Sequence, residues 1–240
     1  MLNKLTDRIY YMSHNEETDR PILGYIRGDN YSLMVDAGNS KKHADLFLEE
    51  ISKLNLPQPA YVALTHSHWD HTYGLCGLNA VSIACKKTNE YLAQMSKWTW
   101  TDKAMKERLD NGEDIEFCDT MIRKEYPNRE DICVKTADII FENGLSIYLG
   151  NINCELIKLE SSHADDCVVV YIPQEKVIFI GDISCEDLHH GEPVYYKDKL
   201  VSLTKNLKAL DFETALFGHM PKLTKEELIS WLEDDSNNVI

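Results

Sequence analysis

Leu64-Thr65-His66-Ser67-His68-Trp69-Asp70-His71-Thr72-Tyr73-Gly74 places three histidines and an aspartate within six positions. Packing does not explain that density, because unpaired ionisable groups are unfavourable to bury. A plain surface loop has no need of it either. A metal site does, since neutral imidazole and carboxylate are the usual nitrogen and oxygen ligands of zinc and similar ions. The apolar run Tyr61-Val62-Ala63-Leu64 just ahead reads as a strand that delivers the loop.

Three later positions repeat the pattern of a ligand type beside an apolar strand. His163 lies between the run ending at Leu159 and the one starting at Val168; Asp182 follows Val177-Ile178-Phe179-Ile180-Gly181; His219 follows Leu216-Phe217-Gly218. Strand ends are where α/β folds gather functional groups. Asp36, in Val35-Asp36-Ala37-Gly38, reads either as a partner for a metal-holding histidine or as a turn aspartate.

HxHxDH at His66, His68, Asp70 and His71, then His163, Gly181-Asp182 and Gly218-His219, resembles the metallo-β-lactamase superfamily in this order. The resemblance implies an α/β fold, a four-layer αβ/βα sandwich of two mixed β-sheets flanked by helices. It implies that His66, His68 and His163 hold one metal ion, that Asp70, His71 and His219 hold another, and that Asp182 bridges them. All are nitrogen or oxygen ligands, so Zn2+ fits best and Mn2+ or Fe also fit. Two divalent ions ~3.5 to 4 Å apart lower the pKa of a shared water toward ~7. The implied reaction is hydrolysis of a small ester, thioester, lactone or lactam by that hydroxide, with Asp70 as the catalytic carboxylate. Alternatives are a phosphodiesterase-type hydrolase with the same dinuclear site and a non-catalytic metal-bound sensor.

Departures narrow the subfamily but not the substrate. Ser161-Ser162-His163-Ala164-Asp165-Asp166-Cys167 lacks the proline-glycine lead-in of glyoxalase II-like and lactonase-like members. Asp182 stands where some zinc β-lactamases have cysteine, Cys185 stands near the tyrosine of acyl-homoserine lactonases, and His68 stands where flavodiiron proteins have glutamate.

The elements that must position these residues alternate. Strands are expected at 8–13, 21–27, 31–35, 61–64 and 81–85, with a helix over 40–54. Strands return at 139–141, 145–149, 154–159, 167–172, 176–180 and 214–217, with Asn143-Gly144 read as a hairpin turn. Helices are expected near 200–210 and after the capping box Thr224-Lys225-Glu226-Glu227. Residues 86–130 read as a helical insertion in a single domain, 1–240, with helical stretches at 88–97, 101–110 and 114–126. That insertion is a lid or substrate wall, or else a dimer face, which leaves a homodimer open.

The net charge of −15 disfavours nucleic acid and anionic membrane surfaces as partners and leaves a small-molecule substrate. No apolar run approaches the ~18 to 20 residues of a membrane helix, and the N-terminus lacks a signal-peptide core. Seven scattered cysteines read as reduced thiols, which suggests a cytoplasmic protein. Glu233-Asp234-Asp235-Ser236-Asn237-Asn238 reads as a solvated, fraying end. Cys185, Tyr195 and Tyr196 are open between a substrate role and a bland one, as is Trp69. His189 and His190 read as exposed loop histidines, Lys86-Lys87 as a solvated helix start, and His14 and His43 as surface residues.

Overall fold

The computed structural model describes residues 1–238. β1 (Leu2–Lys4), β2 (Ile9–Met12), β3 (Leu23–Arg27), β4 (Ser32–Val35), β5 (Tyr61–Ala63), β6 (Val81–Cys85) and β7 (Ile139–Phe141) form one sheet, in that spatial order. β1 to β4 are antiparallel, and β4 to β7 are parallel. β8 (Gly144–Tyr148), β9 (Asn153–Lys158), β10 (Val168–Ile172), β11 (Val177–Gly181), β12 (Thr214–Phe217) and β13 (Leu223–Thr224) form a second sheet, also in chain order. It is antiparallel except between β11 and β12, which run parallel. The helices are α1 (Lys41–Lys53), α2 (Trp69–Thr72), α3 (Lys86–Met95), α4 (Asp102–Asn111), α5 (Glu116–Glu125), α6 (Lys197–Ala209) and α7 (Lys225–Asn238).

Side-chain alternation explains the layering. In β4, Leu33 and Val35 point to the inter-sheet core while Met34 points outward to α1. In β10, Val168, Val170 and Ile172 face the first sheet, and Val169 and Tyr171 face α6 and α7. Each strand buried on both faces therefore reads as a continuous apolar run. α1 covers the first sheet with Ala44, Phe47 and Ile51. α6 and α7 cover the second with Leu200, Leu203, Leu207, Leu228 and Leu232. The result is the expected four-layer αβ/βα sandwich.

Local chemistry starts the helices. Ser40 Oγ accepts from His43 N at 3.0 Å to cap α1. Thr101 Oγ1 caps α4 through Ala104 N at 3.2 Å, and Gly112 ends that helix at φ 78°. Glu227 N donates to Thr224 Oγ1 at 3.2 Å while Thr224 N donates to Glu227 Oε2 at 2.8 Å, which is the capping box read in the sequence.

α3 to α5 form the insertion. Met105, Cys118, Ile122, Tyr126 and Ile132 pack with Trp69 and Tyr73 of the motif, so the insertion is welded to the motif loop. Arg20 pairs with Glu125 at 2.8 Å, and Tyr126 OH donates to the Asn39 carbonyl at 3.0 Å. The guanidinium of Arg108 lies 4.5 Å and 4.7 Å from the ring centres of Trp98 and Trp100.

Four expectations are corrected. Asn143-Gly144 is not a hairpin turn: β7 and β8 belong to different sheets, and the chain crosses between layers there. The cysteines are not all thiols: Cys76 and Cys133 form a disulfide, which removes the cysteine argument for a cytosolic address. The acidic tail is helical to Asn238, because Leu228 and Leu232 anchor its helix on the second sheet. His43 is not a surface residue; it is buried at 1% exposure in the first turn of α1.

The disulfide closes a loop across 57 positions and ties the segment after the motif to the end of the insertion. Chain-entropy arguments give such a link about 4 kcal/mol, and observed values run about 2 to 4 kcal/mol. Replacing both Cys76 and Cys133 with serine should lower unfolding stability by about that amount in urea. An unchanged midpoint would count against the link.

Candidate metal centre

The motif loop leaves β5 and is caught at once by Asp36. Thr65 N donates to Asp36 Oδ1 at 2.7 Å, and Thr65 Oγ1 donates to Asp36 Oδ2 at 2.9 Å. His71 Nδ1 donates to the same Oδ2 at 2.8 Å. Asp36 is thus a partner of a clustered histidine as well as a residue of a tight bend, at φ 59°. Aspartate tolerates that left-handed backbone better than most residues. The second sheet is tied to this loop where Val168 N donates to the Thr65 carbonyl at 2.7 Å.

All seven expected residues converge. His66, His68 and His163 form one group, and Asp70, His71, Asp182 and His219 form another, with the donor atoms of each group within 4.8 Å of one another. His68 Nδ1 is 3.0 Å from His163 Nε2. In the second group, His71 Nε2 is 3.0 Å from Asp70 Oδ2, and His219 Nε2 is 2.9 Å from the same oxygen. Asp182 Oδ2 reaches both groups: 3.1 Å from His71 Nε2 and 3.8 Å from both His66 Nε2 and His163 Nε2. Gly218 permits this approach, because a Cβ there would lie 2.0 Å from Asp182 Oδ1.

Outer hydrogen bonds aim the rings. His163 Nδ1 donates to the Glu186 carbonyl at 3.0 Å, which leaves the Nε2 lone pair for the cluster. Thr65 Oγ1, having given its proton to Asp36, accepts from His66 Nδ1 at 3.1 Å. His66 Nε2 is then a buried lone pair with no hydrogen-bond partner. A divalent cation satisfies such an atom, and the donor set of imidazoles and carboxylates suits one. These residues therefore fit a divalent metal ion.

Electrostatics divide the cluster. Burial, followed by the positive field of His71, holds His66 well below the usual imidazole range, and burial with His66 does the same to His68. Burial opposes charge on Asp70 and Asp182 too, but the neighbouring His71 and His219 outweigh it and keep both carboxylates ionised. His71 is raised despite its burial by Asp70, Asp182 and Asp36. His219 rises to about 9, where the Asp182 charge and the Asp70 hydrogen bond overcome burial.

The remaining candidates separate. Tyr195 OH donates to the Ser184 carbonyl at 3.2 Å, and Tyr196 OH to Asp187 Oδ2 at 3.0 Å, so both brace their loop. Cys185 is partly buried and free, and burial pushes its thiol up. Trp69 is buried and wedges the motif against the insertion while lining the cavity beside the cluster. Lys87 pairs with Asp165 at 3.4 Å and Lys86 with Glu142 at 3.4 Å at the rim of α3. His14 is partly buried. Burial and Arg20 push His43 down to about 3, and its ring packs on Gly38. Two residues near the site escaped the sequence reading. Asp19, whose Oδ1 is 3.5 Å from His219 Nδ1, lies in a polar stretch with no motif. Thr65 was visible only as part of the motif loop.

The family model described as Metallo-beta-lactamase superfamily matches residues 24–219. The chain belongs to that superfamily. No curated protein matches it. Among solved structures, the inverting sec-alkylsulfatase Pisa1 from Pseudomonas sp. superposes with a TM-score of 0.71 at 15% identity, covering 98% of this chain. This chain spans only 41% of that sulfatase's length. A metallo-beta-lactamase family protein from Thermus thermophilus gives a TM-score of 0.69 at 19% identity, covering 98% of this chain and 80% of its own. The DIM-1 metallo-beta-lactamase gives 0.64 at 17% identity, covering 99% and 97%. At these identities the superpositions speak for the fold.

Asp36→Ala strands three donors in a buried site, Thr65 N, Thr65 Oγ1 and His71 Nδ1. A loss of about 3 to 5 kcal/mol is expected in urea unfolding of the metal-free protein. Asp36→Asn, which keeps an acceptor oxygen and tolerates the backbone angle, should lose less. An alanine variant as stable as the parent would contradict the network.

Proposed function

We propose that this superfamily member is a two-metal hydrolase of a small ester, thioester, lactone or lactam, with zinc as the resident ion. The observation that carries the reading is the position of Asp182 Oδ2, within 3.8 Å of His66 and His163 on one side and 3.1 Å from His71 on the other. One carboxylate oxygen between two ligand-type groups is the arrangement a shared ligand requires. In this reading His66, His68 and His163 hold one ion, Asp70, His71 and His219 the other, and Asp182 both. The structural relatives named above, a sec-alkylsulfatase and a metallo-beta-lactamase, support hydrolysis without choosing the bond.

Divalent ions held by these residues would supply Lewis acidity, lowering the pKa of a bound water toward ~7. The chain's own groups do the rest. Asp70, held ionised, orients His71 and His219 through one oxygen and is the carboxylate placed to hold a proton of the attacking water. His163 is fixed in ring orientation by Glu186, and His71 by Asp36. Trp69, Tyr73, Met95, Trp98 and Ile122 wall a cavity of about 690 Å³ that reaches His68 and His163. That volume suits a small molecule. No serine or cysteine nucleophile is needed, so no covalent acyl-enzyme forms.

Zinc-loaded protein should be assayed against chromogenic esters, thioesters, lactones, β-lactams and phosphodiesters. Hydrolysis of an acyl substrate is expected, lost on chelation and regained with zinc, with Asp70→Asn lowering kcat by about 100-fold or more. Turnover of phosphodiesters alone would replace the acyl assignment, and no turnover of any class would contradict the enzyme reading.

A further inference from the structure

The loop between β11 and α6 contains a hydrogen-bonded hairpin that the metal-holding residues do not account for. Asp187 is 5% exposed and collects three donors: His189 N at 2.9 Å, His190 Nδ1 at 2.8 Å and Tyr196 OH at 3.0 Å. Asp187 and Val194 exchange backbone hydrogen bonds of 2.9 Å and 3.2 Å, and Gly191 turns the tip at φ 111°. The base of the hairpin is fixed on both sides of His163. Tyr196 N donates to Ser162 Oγ at 2.9 Å, and the Glu186 carbonyl accepts from His163 Nδ1 at 3.0 Å.

Its two histidines differ. His190 also lines the cavity, but it is exposed and its Nδ1 is bonded to Asp187. His189 is partly buried, with its ring centre 4.7 Å from that of His68 and the planes 40° apart. It lines the cavity together with His68 and His163. It belongs to neither converging group, and its ring lies tilted against that of His68. Among the described residues, neither of its ring nitrogens has a hydrogen-bond partner.

A neutral imidazole always carries one N–H and one lone pair. A partly buried ring with both unused, on a loop fixed by a buried carboxylate, is a preorganised donor waiting for an acceptor. We propose that His189 is a substrate-contacting residue that donates its ring N–H to an oxygen of the reacting acyl group, at the His68–His163 end of the cluster. The proposal rests on the two-metal reading above. Asp187 acts on it as a positioning residue.

Inorganic phosphate, a small tetrahedral oxyanion, serves as the probe, and zinc content is measured first. Parent, His189→Ala and His189→Gln proteins should hold equal zinc. Calorimetry should then show phosphate binding to the parent, weakened about tenfold in His189→Ala and less in His189→Gln, as loss of a hydrogen bond to a charged acceptor predicts. With 15N-labelled histidine, the His189 ring resonance should shift on phosphate addition in the parent. Phosphate affinities that agree within about twofold would overturn the proposal. So would a zinc-loaded parent that ignores phosphate, or loss of zinc in His189→Ala, which would make the residue a ligand. A parent that takes up no zinc fails at the first step and sinks the two-metal reading itself.

Discussion

The inner faces of the two sheets must meet before the seven clustered side chains can share a pocket. His66, His68, Asp70 and His71 follow β5 of the first sheet, while His163, Asp182 and His219 follow β9, β11 and β12 of the second. Leu33, Val35 and Ile83 packed on Val168, Val170 and Phe179 set the distance between them. The bond from Val168 N to the Thr65 carbonyl fixes their registry at the rim. The cluster is thus a consequence of apolar packing that none of its own members makes.

The same closeness creates an electrostatic problem. Five imidazoles and two carboxylates crowd one site, where burial opposes charge on His66, His68, His71, His219, Asp70 and Asp182. The solution is uneven. His66 and His68 lose their protons, whereas His71 and His219 keep theirs against Asp70 and Asp182. One half of the cluster holds neutral His66 and His68 beside His163, and the other is a set of ion pairs. His66 Nε2, buried with no hydrogen-bond partner, is the donor atom in the first half that most plainly fits a cation.

Most of the fold and the whole cluster were legible because the signals are local. Strand runs, the capping box at Thr224 and ligand types at strand ends need no knowledge of distant residues. What escaped depends on partners far along the chain. Asn143-Gly144 has hairpin chemistry, but tertiary packing sends β8 to the other sheet. The Cys76–Cys133 link joins segments that only the folded insertion brings together. His43 looks solvent-bound in a polar helix start, yet its helical position points it inward with Ala44 and Phe47. His189 and His190 are adjacent and chemically identical and both line the cavity; only the Asp187 hairpin ties up the ring of one and leaves the ring of the other without a hydrogen-bond partner among the described residues.

The central proposal is that Asp182 would serve two cations between the sheets, and titration of zinc into metal-free protein tests it most directly. About two zinc ions should bind per chain. Protons should be released on binding, and affinity should fall as pH drops, because His219 holds its proton up to about pH 9 and ligation expels it. Asp182→Ala should weaken both sites together. Binding of no zinc, or zinc uptake indifferent to Asp182→Ala, would contradict the account.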